Sequence, residues 1–382
     1  MHLDHTEFKT PGQYISALLD VRGWTKRVLA IVLQMDETAI NKIASDKRPV
    51  TPEFSILLEE VFDVPASNFL ALQQQYDLGK ARLAARPDSG RSNRARLFGG
   101  LPVSDMIKRG WLDVDDIRNV AKTESELAKF FGAETAAEID VIPHAAKKTD
   151  AESDATPAQM AWLYRVKSIA AELLVPRYSP SSAPGLLDKL KKLTHAPEEA
   201  RKVPRLMAEN GIRFVVVESL PGAKIDGVCL WLADDAPVVA LSIRHDRIDN
   251  FWFVLRHELE HVFCGHGLNS PIIDADLEGV RGGTGSDVSM EERIANEAAA
   301  DFCVPSRSLA DFIAWKEPFF AERDILGFAK TLGIHPGLMV GQLQRRTGRY
   351  DRFRNHLVQI RSSVLPSATV DGWGDVYPLG IQ

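Results

Sequence analysis

Five consecutive residues, His257-Glu258-Leu259-Glu260-His261, carry the densest potential chemistry in the chain. They spell His-Glu-x-x-His, a pattern that needs a helix, because a period of about 3.6 residues brings side chains four apart onto one face. On a helical projection Leu255, Leu259, Val262 and Phe263 fall on one side and His257 with His261 on roughly the opposite one. That spacing predicts a helix with one packing face and one chemical face. Two neutral imidazoles suit Zn2+, whose hydrolytic sites add a third protein ligand and leave a fourth position for water.

The third ligand has to come from elsewhere. Glu291 to Phe302 reads as an Ala-rich second helix whose Ala295, Ala298 and Ala299 allow close approach to the first. Glu292 is the expected ligand, with Glu291 and Glu297 as substitutes. Glu258 stands next to the first ligand without being one, and is the expected general base. It would take a proton from water whose pKa zinc lowers toward about 7, while the metal polarises a scissile carbonyl. His266 and His335 are candidates for an oxyanion donor, though each is more simply a surface or packed histidine. Cys264, one turn after His261, is expected to be a small packed thiol.

Strands must hold that helix in place. Gly211 to Val217 reads as a β-strand, Pro221-Gly222 as the turn after it, and Val228 to Leu232 and Val238 to Ser242 as two more strands. Helical segments broken at Pro197 and Pro204 precede them. The order helix, three-stranded sheet, metal helix predicts an edge strand beside the chemistry, where an extended peptide could add as a further strand.

The run GIRFVVVESLPGAKIDGVCLWLADDAPVVALSIRHDRIDNFWFVLRHELEHVFCGHG, followed by EERIANEAAADFCVP, resembles the ImmA/IrrE metallopeptidase domain over residues 205 to 306. The resemblance implies a zincin-like fold in which His257 and His261 are zinc ligands, Glu258 is the general acid/base and Glu292, first residue of Glu-x-x-Ala-Asn, is the third ligand. Two positions depart from the family pattern: Glu260 stands where glycine is usual, and Arg256 replaces a small residue.

At the other end of the chain, five short helices are expected between Pro11 and Tyr76, with Met35-Asp36-Glu37 as a tight turn between the second and third. The third, Glu37 to Ser45, would bury Ile40 and Ile43 and expose Thr38, Asn41 and Lys42. That is the plan of a helix-turn-helix domain, whose second motif helix enters the major groove. Residues 11 to 78, with KIASDKRPVTPE and FLALQQQYDL, look like the XRE-type helix-turn-helix of HigA-like antitoxins. The resemblance implies that Thr38, Asn41 and Lys42 face base edges, with Lys26, Lys47 and Arg48 near phosphates. Gln34 stands where this motif often has glycine. Residues 1 to 80 hold 8 Lys and Arg against 11 Asp and Glu, a net −3, which leaves room for a domain used only for protein contacts.

At 382 residues, 45% hydrophobic and 26% charged, the composition is that of an ordinary globular chain of two or three domains, neither disordered nor fibrous. Cys229, Cys264 and Cys303 are widely spaced and form no Cys-x-x-Cys pair, so neither a disulfide framework nor a thiolate zinc site is indicated. No early apolar run or membrane-length stretch occurs, and the expected location is cytoplasmic. The arginines of residues 79 to 100 lie among Pro, Gly, Ser and Asn and read as a basic linker, and residues 371 to 382 as irregular.

The expected class is α+β, mainly α. Its parts are an N-terminal helix-turn-helix domain at 1–80, a basic linker and helical connector at 81–185, a metallopeptidase domain with a small β-sheet at 186–350, and a tail at 351–382. Together the two resemblances imply a DNA-binding regulator, expected as a homodimer on operator DNA, whose peptidase-like half hydrolyses a peptide bond in a repressor or partner. The alternative is a non-catalytic antitoxin whose metal site is structural or sensory and which binds DNA and a cognate toxin.

Overall fold

The computed structural model describes residues 3–85, 90–139, 147–148, 155–268, 271–275 and 289–377. The chain is α+β and mainly helical, and it divides into two compact units, Met1–Ser89 and Gly90–Gln382.

Five helices build the first unit: α1 (Pro11–Arg22), α2 (Lys26–Val32), α3 (Glu37–Ala44), α4 (Pro52–Phe62) and α5 (Ala66–Ala84). Their starts follow from local chemistry. Thr10, Thr25, Asp36 and Thr51 each accept a hydrogen bond from a backbone N–H in the first turn, satisfying donors that a helix start leaves open. Tyr14, Ile15, Leu29, Ile40, Leu58, Phe69 and Leu72 close the core between them. Gln34, in the short turn before α3, takes a left-handed φ of 51°, a conformation costing a side-chain-bearing residue about 1–2 kcal/mol.

The linker expected at 79–100 is largely helical instead. α5 runs through Gly79 to Ala84, where Lys80, Ala81, Arg82, Leu83 and Ala84 outweigh one glycine penalty of about 1 kcal/mol. Gly90–Gly100 is also a helix, anchored by the fully buried Leu97. Residues 86–89 lie outside the described residues.

The second unit is organised on a sheet of strands β1 (Lys147–Lys148), β2 (Arg213–Val217), β3 (Ile225–Trp231), β4 (Pro237–Leu241), β5 (Ile272–Ala275) and β6 (Thr369–Asp371). Their order is β1-β5-β3-β4-β2-β6, with β3 antiparallel to both its neighbours and the other pairs parallel. Along β2 the pleat sends Phe214 and Val216 into one core and Val215 and Val217 into another, so the strand is buried on both faces. The first core holds the helix Ile248–Phe263 through Phe251, Trp252, Leu255, Leu259 and Val262.

The second core is filled by residues expected to be a connector. Leu97, Met106, Trp111, Leu127, Trp162 and Ile169 all pack there, so this segment is a layer of the unit rather than a spacer. Trp162 Nε1 donates to the Val217 carbonyl at 3.0 Å, and Gln159 Nε2 to that of Ala223 at 2.8 Å.

Part of the segment expected to be a tail also belongs to the sheet. Thr369–Asp371 pairs with Val215–Val217. The Asp371 carboxylate accepts from Trp111 Nε1 at 2.7 Å and Arg165 Nε at 2.9 Å, and forms an ion pair with Arg165 Nη2 in which both side chains are almost wholly buried. Residues 149–154, and 378–382 of the end expected to be irregular, lie outside the described residues. No helix among the described residues is long and apolar enough to cross a membrane.

Candidate metal centre

The helix Ile248–Phe263 and the helix Met290–Cys303 face one another across the fully buried Ala295 and Ala299. Small side chains at those two positions let the backbones come close enough for a carboxylate on one to reach imidazoles on the other. The chemical face is as buried as the packing face, His257, Glu258 and His261 each being 0% exposed.

His257, His261 and Glu292 form a cluster able to hold a metal ion. The two imidazole Nε2 atoms lie 3.1 Å apart. Glu292 sets Oε2 at 3.3 Å from His257 Nε2 and Oε1 at 3.4 Å from His261 Nε2. A tetrahedral ion with bonds of about 2.0–2.2 Å spaces its donors roughly 3.3–3.6 Å apart, so the arrangement is close to what one shared cation requires. Geometry also separates the three glutamates considered for this role: Glu292 is buried, whereas Glu291 and Glu297 are exposed.

Glu292 reaches inward from the first turn of its helix, where Ser289 accepts from the Glu292 backbone N–H at 3.2 Å. At the far end, Lys191 Nζ donates to the Phe302 carbonyl, and its cation sits 5.2 Å from the Phe302 ring. Burial holds the Lys191 ammonium below its usual pKa, although Cys303 and Asp301 oppose that shift.

Glu258 turns toward β3, where Gly227 supplies the space: a Cβ on Gly227 would overlap the Glu258 carboxylate. An isolated glycine within a strand is the sequence signal for such an approach, and residues 225–231 contain one.

Arg256 and Glu260 pair with each other at 2.6 Å, and Arg256 lies 5.6 Å from the Phe263 ring. Cys264 is exposed, and its Sγ lies 3.8 Å from Glu260 Oε1. Burial and the Glu260 charge push its thiol up, away from thiolate character. Cys303 behaves as a core atom, its pKa raised by burial to about 12.

The expected free edge beside the metal helix is covered. β3 pairs with β4 on one side and, over Ile225–Cys229, with β5 on the other. β5 is a four-residue strand without alternation, which hides it from a periodicity search. Both histidines considered as oxyanion donors engage their Nδ1 elsewhere. His266 sits on His261, with the two Nδ1 atoms 3.0 Å apart, and His335 caps the helix Pro336–Thr347, accepting from Gly337 N at 3.0 Å.

In the first unit Thr38, Asn41, Lys42, Lys47 and Arg48 are exposed on α3 and the segment after it, Lys26 is half-buried, and Ile40 and Ile43 point into the core. No family model matches the chain, and no curated protein matches it in sequence.

Proposed function

We propose that the chain is a DNA-binding regulator carrying a zinc-dependent endopeptidase of the ImmA/IrrE type, acting on a peptide bond in a repressor or partner protein. The carrying observation is the convergence of two Nε2 atoms and the Glu292 carboxylate at near-tetrahedral spacing, with Glu258 next in sequence to His257. Zinc bound there would supply Lewis acidity toward a water and a scissile carbonyl. Glu258 is the general acid/base in this reading, accepting a proton and returning it to the leaving amine. The first unit supplies operator binding as an XRE-type, HigA-like helix-turn-helix. Thr38, Asn41 and Lys42 meet base edges, Lys26, Lys47 and Arg48 meet phosphates, and a homodimer doubles that face.

Complete burial of His257, Glu258 and His261, together with the covered β3 edge, favours a second reading. In it the metal is structural or sensory, and the chain is a non-catalytic antitoxin that binds DNA and a cognate toxin.

Elemental analysis of the wild type and His261→Ala comes first. Close to one zinc per chain, lost in the variant, supports the ligand set, and a wild type that takes up no metal sinks it. Incubation of wild type and Glu258→Gln with the partner encoded beside it then separates the readings. Cleavage by the wild type alone supports the peptidase, and cleavage surviving in Glu258→Gln removes Glu258 from the chemistry.

A further inference from the structure

We infer that His266 is a positioning residue for the metal centre, fixing the tautomer and ring orientation of His261. The inference rests on the metal reading above and extends it to a residue outside the His-Glu-x-x-His pattern. His261 turns Nε2 toward His257 and Glu292, so that nitrogen must offer its lone pair to a shared cation. The ring proton then belongs on Nδ1, which donates to His266 Nδ1 at 3.0 Å. His266 accepts there and carries its own proton on Nε2.

The segment around His266 is built to hold that geometry. Its backbone N–H donates to the His261 carbonyl at 2.8 Å, and its carbonyl accepts from Trp231 Nε1 at 2.8 Å, on β3. Gly265 and Gly267 on either side adopt positive φ of 70° and 80°, and a Cβ on Gly267 would stand 3.0 Å from the Cys229 carbonyl oxygen. Two left-handed glycines and the Trp231 hydrogen bond thus hold this segment against β3, with the His266 ring on the far nitrogen of His261. Groups that receive the outer N–H of a metal-bound histidine typically govern affinity by roughly 10- to 100-fold.

The test compares wild type, His266→Ala and His266→Asn, because asparagine places an acceptor oxygen where histidine has Nδ1. Zinc affinity is measured by competition with a chromophoric chelator, and thermal unfolding of each apo chain reports the fold separately. The expected result is a loss of roughly 10- to 100-fold in His266→Ala, recovery to near wild type in His266→Asn, and similar apo unfolding in all three. In zinc-loaded wild type, nitrogen-15 spectra of the histidine rings should show His261 protonated on Nδ1. Wild-type affinity in His266→Ala, or a His261 Nδ1 without its proton, overturns the inference while leaving the metal site standing. A wild type that binds no zinc overturns both, and is distinguished by that result.

Discussion

Gly227 lies against the Glu258 carboxylate so closely that no larger residue fits between strand and helix. Gly227→Ala should therefore destabilise the chain by about 1–3 kcal/mol through overpacking. The cost should shrink in a Glu258→Ala background, where the clash has no partner. Denaturant unfolding of the two single variants and the double variant measures this, and equal costs in both backgrounds would mean that the glycine serves something else.

If the cluster of His257, His261 and Glu292 holds zinc, the ion is bound by the folded chain and not by the unfolded one. Chelation should then lower the unfolding temperature, and zinc at 1,000 times its Kd should add about 4 kcal/mol. Glu292→Gln should lose most of that increment while unfolding like wild type in the apo form. Scanning calorimetry with and without zinc checks both statements.

Asp371 is the counter-charge of a fully buried arginine. Asp371→Ala strands the Arg165 cation and should cost about 3–5 kcal/mol. Replacing both partners, as in Arg165→Met with Asp371→Leu, should cost less than the single change, because no charge is then left behind. Urea unfolding of the pair distinguishes this from a uniform loss of packing.

His335 gives a pH dependence whose sign can be worked out. Burial holds its imidazole below the ordinary value of 6.5, and the nearby His356 adds to the effect. The unfolded chain thus binds more protons at this residue, so stability rises with pH through that window and is lost as pH falls from 6.5 toward the folded value. Protonation also removes the lone pair that caps Gly337 N. His335→Asn keeps a capping acceptor and does not titrate. Between about pH 7.5 and 5.5 the wild type should lose more unfolding temperature than this variant.

For the first unit, Asn41→Ala with Lys42→Ala should abolish sequence preference in gel shifts if α3 reads base edges. Lys47→Ala should weaken binding across all sequences and lower the salt slope by about 1. Unchanged shifts in the double variant would move the unit's role toward protein contacts.

Local chemistry was legible where its signal is local. The helix carrying His257 and His261, the meeting of Glu292 with them, the starts of α1 and α3 and strands β2 to β4 could each be read from a few neighbouring residues, because caps and periodicity act within a turn or a pleat. What is not legible depends on distant partners. β5 and β6 span only Ile272–Ala275 and Thr369–Asp371, too short to show a period, and exist because β3 and β2 offer them edges. Trp111, between two helices, and Arg165, within one, show nothing special until Asp371 meets them from more than 200 positions away in sequence. His266 was visible as a histidine, but its contact with His261 depends on the clamp to Trp231.

That distant closure has a consequence for biosynthesis. Residues 1–89 possess their own core and can fold as soon as they leave the ribosome. The sheet packed on the helix Ile248–Phe263 cannot be completed until residue 371 has also emerged, because β6 and the carboxylate that neutralises Arg165 arrive together. Until then a nascent chain carries an uncompensated cation and an unpaired β2 edge, the kind of surface that chaperones bind. The order of synthesis therefore makes the first unit ready well before the second can close.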